Sequence, residues 1–348
     1  MNILPILLLP LSWIYGSIVW LRNRCYDLKM LSVKRVAAPV ISVGNITAGG
    51  TGKTPFVEML IRMLTQRGEK IAMISRGYRR TTSGTVIVSD GVALRESVER
   101  SGDEPFQIAR KFPHVYVIVD EQRARGAQLA VDKFGPDVIV LDDGFQHRPL
   151  HRDLDIVLME GDGPLSSLRL LPAGVQREPL SALIRADLLA VSSVSGGTVH
   201  VQELQRVTKA PVIKVHRKAQ KLVALARDRE MELSKARGKA CIAFCGIGNP
   251  GSFRRTLDEI GVEVREFIVF PDHHAYTALD LRGIVESVES NNPDIVLMTE
   301  KDAVVWQSSI QRTLSLLQMS YYLEIEMEII EGAELLQLAL DGVLKEAA

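Results

Sequence analysis

Residues 44–55 read GNITAGGTGKTP. The stretch before it, Pro39–Val43, is an apolar run with the character of a strand. After it, Val57, Leu60, Ile61 and Leu64 recur at i, i+3, i+4 and i+7, the spacing of an amphipathic helix over residues 55–66. A glycine-rich turn between strand and helix is the setting of a phosphate-binding loop. Gly49, Gly50 and Gly52 let backbone N–H groups approach an anion without a Cβ in the way, and the helix N-terminus adds partial positive charge. Lys53 suits the β- and γ-phosphates, the Thr54 hydroxyl suits Mg²⁺, and Pro55 fits the first helical turn. The strict pattern G-x-x-x-x-G-K-[ST] asks for glycine at position 47, where this chain has Thr47. Thr47, Ala48, Gly49, Gly50, Thr51, Gly52, Lys53 and Thr54 are therefore the expected nucleotide-binding residues, with an altered entry and an intact phosphate-holding half.

Outward from this loop, short apolar runs alternate with helical patterns, which predicts an α/β fold with a mainly parallel sheet. Candidate strands are 71–75, 85–88, 115–119, 138–141, 156–159 and 188–191. A polar stretch, VSSVSGGTVHVQ (191–202), precedes PVIKVHRKAQKLVAL (211–225), which reads as strands without a helix between them. A second α/β series follows: Cys241–Cys245, GIGNPGSF opening a helix, Val264–Phe270, a helix near 277–290, and Ile295–Thr299. The expected division is an N-terminal segment 1–35, a core 36–210, a two-stranded linker 211–226 and a C-terminal α/β domain 227–348.

Three further constellations carry chemistry. In PDVIVLDDGFQH (136–147) an apolar strand ends in Asp142-Asp143, carboxylates at the sheet edge beside the loop, suited to Mg²⁺ or to capping a turn. In SGDEP (101–105), Asp103 and Glu104 begin a helix, and capping and general-base readings both stand. In FPDHHAY (270–276), His273 and His274 are adjacent on a turn, which disfavours chelation and favours a histidine orienting a carboxylate. Arg76, Tyr78 and Arg79 in SRGYRR, Glu104, Gln146, and Arg177 in LPAGVQREP are possible phosphate or substrate contacts, with Glu178 beside Arg177 in the same loop. TEKD (299–302) faintly resembles the base-reading motif of GTP-binding proteins.

The 348 residues carry 42 acidic and 42 basic side chains, so no overall basic field points to nucleic acid. Three cysteines without a CxxC pair support neither a disulfide framework nor a zinc site, and Cys241 and Cys245 read as small buried apolar groups. Residues 1–21, MNILPILLLPLSWIYGSIVWL, contain no charge and are followed by Arg22, Arg24, Lys29, Lys34 and Arg35. As a helix, residues 3–21 span roughly 28 Å, near the thickness of a bilayer core, but Pro5, Pro10, Ser12 and Gly16 weaken a spanning segment. A helix lying on or dipping into a membrane, with Trp13, Tyr15 and Trp20 at the interface, is the favoured reading over a buried helix.

Together these residues resemble the tetraacyldisaccharide 4′-kinase family of lipid A biosynthesis. The resemblance runs in order through NRCYD (23–27), VGNITAGGTGKTP, SRGYRR, GDEP, LDDGFQHRPLHRDLDIVL, LLPAGVQREP, FPDHHAY and TEKDAV. It implies a P-loop NTPase-like core with a smaller α/β domain on a two-stranded linker, held to the cytoplasmic face of the inner membrane by its N-terminal helix. It also implies transfer of the γ-phosphoryl of ATP, with Mg²⁺, to the 4′-hydroxyl of a lipid A disaccharide 1-phosphate in lipopolysaccharide biosynthesis. Asp103 resembles the residue that accepts the hydroxyl proton, with His273 assisting; Asp142, Asp143 and Glu178 resemble the acidic group around Mg²⁺, joined by Thr54. Val175-Gln176 depart from the Pro-Leu the family pattern places there. Two rival readings are a P-loop ATPase or GTPase switch without a lipid acceptor, and a non-catalytic adaptor with a vestigial loop.

Overall fold

A computed structural model of the chain describes residues 4–161, 169–192, 201–226, 229–309 and 314–346. Of the polar stretch 191–202, residues 193–200 lie outside the described residues. The phosphate loop joins strand β1 (Val40–Asn45) to a helix, Lys53–Gln66. Parallel strands β2 (Ile71–Ser75), β4 (Tyr116–Val119), β5 (Val138–Asp142), β6 (Leu154–Glu160) and β7 (Leu188–Ser192) flank β1, in the order β7-β6-β1-β5-β2-β4. Strand β3 (Val86–Asp90) closes the edge antiparallel to β4. Every predicted strand of this half is present.

Period-two alternation along these strands sorts the core into two layers. Ile41, Val43, Val138 and Val140 face the loop helix through Phe56, Leu60, Ile61 and Leu64. Val40, Ile139 and Leu141 face the helix Arg123–Phe134 through Ala124, Ala127 and Ala130. Helices on both faces of a parallel sheet bury both sets of side chains, so the strands read as near-continuous apolar runs.

The second parallel block is β11 (Glu263–Val269), β10 (Ala240–Cys245) and β12 (Ile295–Thr299). Cys241 and Cys245 are buried in it against Phe253 and Leu257, and burial pushes both thiols up to about 12. The blocks join through two long strands, β8 (Val212–Ala224) and β13 (Ser320–Glu331), paired antiparallel. This differs from the expected linker: residues 211–226 supply one strand, and its partner comes from far along the chain. Strand β8 pairs with β7 through Val212–Val215, and its other end pairs with β9 (Glu230–Glu232) through Lys221–Val223. One strand thus belongs to both halves. The ribbon carries register shifts at Glu324/Ile325 and Ile329/Glu331, and such bulges bend a ribbon. The C-terminal helix Ala333–Glu346 then returns to the first half, where Leu336, Leu340 and Val343 pack beside Phe56 and Leu60.

The N-terminal helix, Leu9–Asp27, lies along the loop 170–178. Ser12 donates to the Leu170 carbonyl and accepts from the Ala173 N–H, each at 3.0 Å. Tyr15 donates to the Arg177 carbonyl at 2.8 Å, and Asn23 to Glu178 at 2.9 Å. Its polar side is therefore the docked side. Trp13, Ile14, Ile18, Trp20 and Leu21 are exposed, the reverse of an ordinary surface helix. Among the described residues no helix is long and apolar enough to cross a membrane.

Candidate active site

The carboxyl edges of both parallel blocks face one cleft of about 1070 Å³. The phosphate loop forms one wall. Gly52 sits at the start of the loop helix with φ +84°, a left-handed conformation that glycine tolerates, and a Cβ there would meet Met327 of β13 at 3.0 Å. From the other half, Gly248 of GIGNPG approaches so closely that an added Cβ would lie 3.2 Å from the Gly50 nitrogen. The loop entry explains Thr47. Thr47 makes an antiparallel bridge with Gln176, and Ala48 donates to the Val175 carbonyl at 2.6 Å. The backbone is strand-like at the position where the strict pattern asks for glycine. Thr51 accepts from Asn45 at 3.0 Å, and Gln146 donates to the Asn45 carbonyl at 2.8 Å, which fixes the base of the loop.

Asp142 and Asp143 end β5 beside this loop. Asp143 receives two hydrogen bonds from Arg177, at 2.8 and 3.0 Å, with Lys53 at 3.5 Å. Burial raises the Asp143 carboxyl, but Lys53 and Arg177 outweigh it and hold the group below the ordinary aspartate value. Asp142 accepts from Ser75 at 3.2 Å and makes no ion pair among the described residues. Burial, with Asp143 and Glu104 nearby, pushes its carboxyl up to about 6. A buried carboxylate with no cation partner fits a divalent cation, and Thr54 lines the same cleft. Glu178, the third carboxylate expected in this group, has partners of its own. It is buried and bonded to Arg185 at 2.8 Å and to Asn23 of the N-terminal helix. Both partners take Oε2, and Oε1 is buried with no hydrogen-bond partner among the described residues.

The helix Asp103–Lys111 presents its first turn to the second half. His273 Nδ1 lies 3.0 Å from Asp103 Oδ2, so the two sequence motifs meet across the cleft. His273 adopts φ +56°, and its turn is fastened by Arg79, which donates to the carbonyls of Asp272 and His273 at 2.9 and 2.7 Å. The Tyr78 ring meets the imidazole edge-on at 4.9 Å. His274 turns away and pairs with Asp280 at 3.0 Å, which separates the roles of the two histidines.

Two residues for which sequence alone indicates no role of their own stand in the cleft. Lys301 Nζ lies 3.0 Å from His273 Nε2, 3.3 Å from Glu104 and 3.1 Å from Asp272. Burial opposes its charge, but Glu104 and Asp272 hold it above the ordinary lysine value. Asp103, Glu104 and His273 are spaced to hold a metal ion, and the Lys301 ammonium already contacts two of them. Within TEKD, Lys301 faces the histidine, and Asp302 is buried, accepting from Tyr276 and from the Gly246 N–H. The second residue is Arg123, which donates to the Asp143 carbonyl at 3.3 Å and approaches His147 at 3.2 Å. Its position at the start of the helix Arg123–Phe134, in EQRAR, carried no signal that it turns inward. Arg76 and Tyr78 line the cleft as expected.

The sequence profile of the family described as Tetraacyldisaccharide-1-P 4′-kinase matches residues 4–345. A tetraacyldisaccharide 4′-kinase of Aquifex aeolicus (strain VF5) is 40% identical over 301 residues, covering 86% of this chain and 89% of that protein. One of Chlorobaculum parvum is 38% identical over 346 residues, covering 97% and 95%. Among solved structures, LpxK from Aquifex aeolicus in complex with ATP superposes with a TM-score of 0.77 at 36% identity, over 98% of this chain and 99% of that one. The profile spans both halves of the cleft, and the chain belongs to the tetraacyldisaccharide-1-P 4′-kinase family.

Proposed function

We infer that the protein transfers the γ-phosphoryl group of ATP, with Mg²⁺, to the 4′-hydroxyl of a tetraacylated glucosamine disaccharide 1-phosphate, a lipid A precursor. Family membership supports the reaction, and the observation that carries the residue assignment is the 3.0 Å pair between Asp103 and His273 at the cleft. A sugar hydroxyl is a weak nucleophile, so it must be held in line and relieved of its proton as charge develops. Asp103 accepts that proton. The sugar oxygen bonds to the γ-phosphorus as the bond to the ADP oxygen breaks, and His273 holds the carboxylate in place.

Lys53, Arg76 and Arg177 spread the charge of the transferred group. Asp142, Asp143 and Thr54 are the residues that would hold Mg²⁺, which supplies charge neutralisation on the phosphate oxygens. The exposed apolar side of Leu9–Asp27 is assigned to the cytoplasmic surface of the inner membrane, where the acceptor's acyl chains remain. The core 36–210, the linker 211–226 and the C-terminal region 227–348 serve as nucleotide platform, hinge and closing half, with residues 333–346 docked back on the platform.

Incubation of purified protein with γ-labelled ATP, Mg²⁺ and the disaccharide 1-phosphate in detergent micelles tests this. Label on the lipid is the expected result. Label that reaches only free phosphate overturns it in favour of an ATPase without a lipid acceptor.

A further inference from the structure

The segment Thr299–Asp302 opens the helix Glu300–Ser309 and grips the helix Asp103–Lys111 at both ends. Glu300 meets Lys111 in its last turn at 3.2 Å, and the next residue, Lys301, meets Glu104 in its first turn at 3.3 Å. The two contacts are charge-complementary and belong to opposite halves of the molecule. Lys301 also pairs with Asp272 at 3.1 Å, and it makes one contact of a different kind, its 3.0 Å approach to His273 Nε2.

An ammonium has three donors and no acceptor. His273 Nε2 must therefore present its lone pair to Lys301, and the ring's one proton sits on Nδ1. That proton is donated to Asp103 Oδ2 at 3.0 Å. The other groups facing Nε2 are the carboxylates of Glu104, at 3.7 Å, and Asp272, at 4.0 Å. With Lys301 absent both would draw a proton onto Nε2. The alternative neutral ring then turns a lone pair on Asp103, whereas the imidazolium ties Asp103 into a full ion pair. Either state weakens a base that must be ionised and oriented.

We propose that Lys301 is a positioning residue of the phosphoryl transfer: it fixes His273 as the neutral Nδ1–H tautomer, so that Asp103 is held at one oxygen and free at the other for the acceptor's proton. The inference rests on the assignment of Asp103 as the base. Lys301 exchanges no proton and touches no phosphate in this scheme; the hydroxyl proton goes to Asp103, and the phosphoryl group moves from ADP to the sugar oxygen.

Long-range ¹H–¹⁵N correlation spectra of full-length protein labelled at histidine, with His273 assigned by its loss in His273→Gln, read the tautomer directly. At pH 7.5 the wild type is expected to show a protonated Nδ1 and a lone pair on Nε2; an Nε2–H ring, or one protonated at both nitrogens, overturns the proposal without any variant. Lys301→Met is expected to lose the Nδ1–H pattern and to lower kcat about tenfold or more, with KM for ATP within about twofold. Lys301→Arg, also a pure donor, is expected to restore the pattern and most of kcat. An unchanged spectrum in Lys301→Met, or a changed spectrum with wild-type kcat, overturns the role. Wild-type turnover by Asp103→Ala would instead sink the base assignment, whatever the histidine spectra show.

Discussion

Asp142 and Asp143 are adjacent, both buried, and pushed in opposite directions. Lys53 and Arg177 keep Asp143 ionised, while Asp142 is raised to about 6 from an ordinary value of 3.8. In nucleotide-free protein the folded state therefore binds more protons than the unfolded state between these values. The Asp142 carboxyl thereby makes stability fall as pH rises through that window. A divalent cation needs the ionised carboxylate, so its binding strengthens as pH rises through about 6. The gain in Tm from Mg²⁺ with ATP is expected to be larger at pH 8 than at pH 5.5, and small at both in Asp142→Asn. Equal gains in wild type and variant would remove Asp142 from the cation site. Lys53, Thr54 and Asp142 were legible in the sequence because their chemistry depends on neighbours along the chain. Lys301 was not, because the partners that give it meaning, Glu104 and His273, come from other elements. The partners of Glu178, Arg185 and Asn23, were not legible for the same reason, since they are set by packing.

At the scale of elements, the helix Asp103–Lys111 ends in a buried charge cluster. Lys111 pairs with Glu58 at 2.8 Å, Glu324 at 3.0 Å and Glu300 at 3.2 Å, drawing the loop helix, the ribbon and the second half to one point. Burial and Glu58 push Glu300 up to about 7. Lys111→Met leaves Glu58 and Glu300 without their cation, while Glu324 keeps Lys221 at 3.4 Å, and is expected to destabilise the fold by about 3 kcal/mol or more. The deficit should be larger at pH 8 than at pH 6, where Glu300 takes up a proton, and urea unfolding at the two pH values measures both. A deficit under about 1 kcal/mol, of the size of a surface pair, contradicts the cluster's structural role. The helix Leu9–Asp27 carries a separate expectation. Replacing Trp13, Ile14, Ile18 and Trp20 by serine should abolish sedimentation with anionic vesicles and leave Tm unchanged, because those side chains touch solvent and not the core. Retained vesicle binding would contradict the assigned surface.

The whole molecule is two parallel blocks whose carboxyl edges oppose each other across a bent two-stranded ribbon. Each block was legible, since Pro39–Val43, Asp142 and Ile295–Thr299 lie in runs whose period and punctuation are local. The ribbon was half legible. PVIKVHRKAQKLVAL reads as strand, but its partner Ser320–Glu331 lies about a hundred residues further on, and the cross-strand pairs Lys218–Glu328 and Lys221–Glu324 exist only after folding. That joining brings His273 to Asp103, and from it follows the central claim that the two act as one unit across the cleft. A double-mutant cycle on phosphoryl transfer, with ATP affinity measured in parallel, tests that claim most directly. Asp103→Ala is expected to lower kcat by about 10² or more and His273→Gln by about tenfold or more, both with ATP binding retained. The double variant is expected to match Asp103→Ala within about threefold, because the histidine has nothing left to orient. Losses that multiply in the double variant would show two independent contributions and contradict the paired assignment.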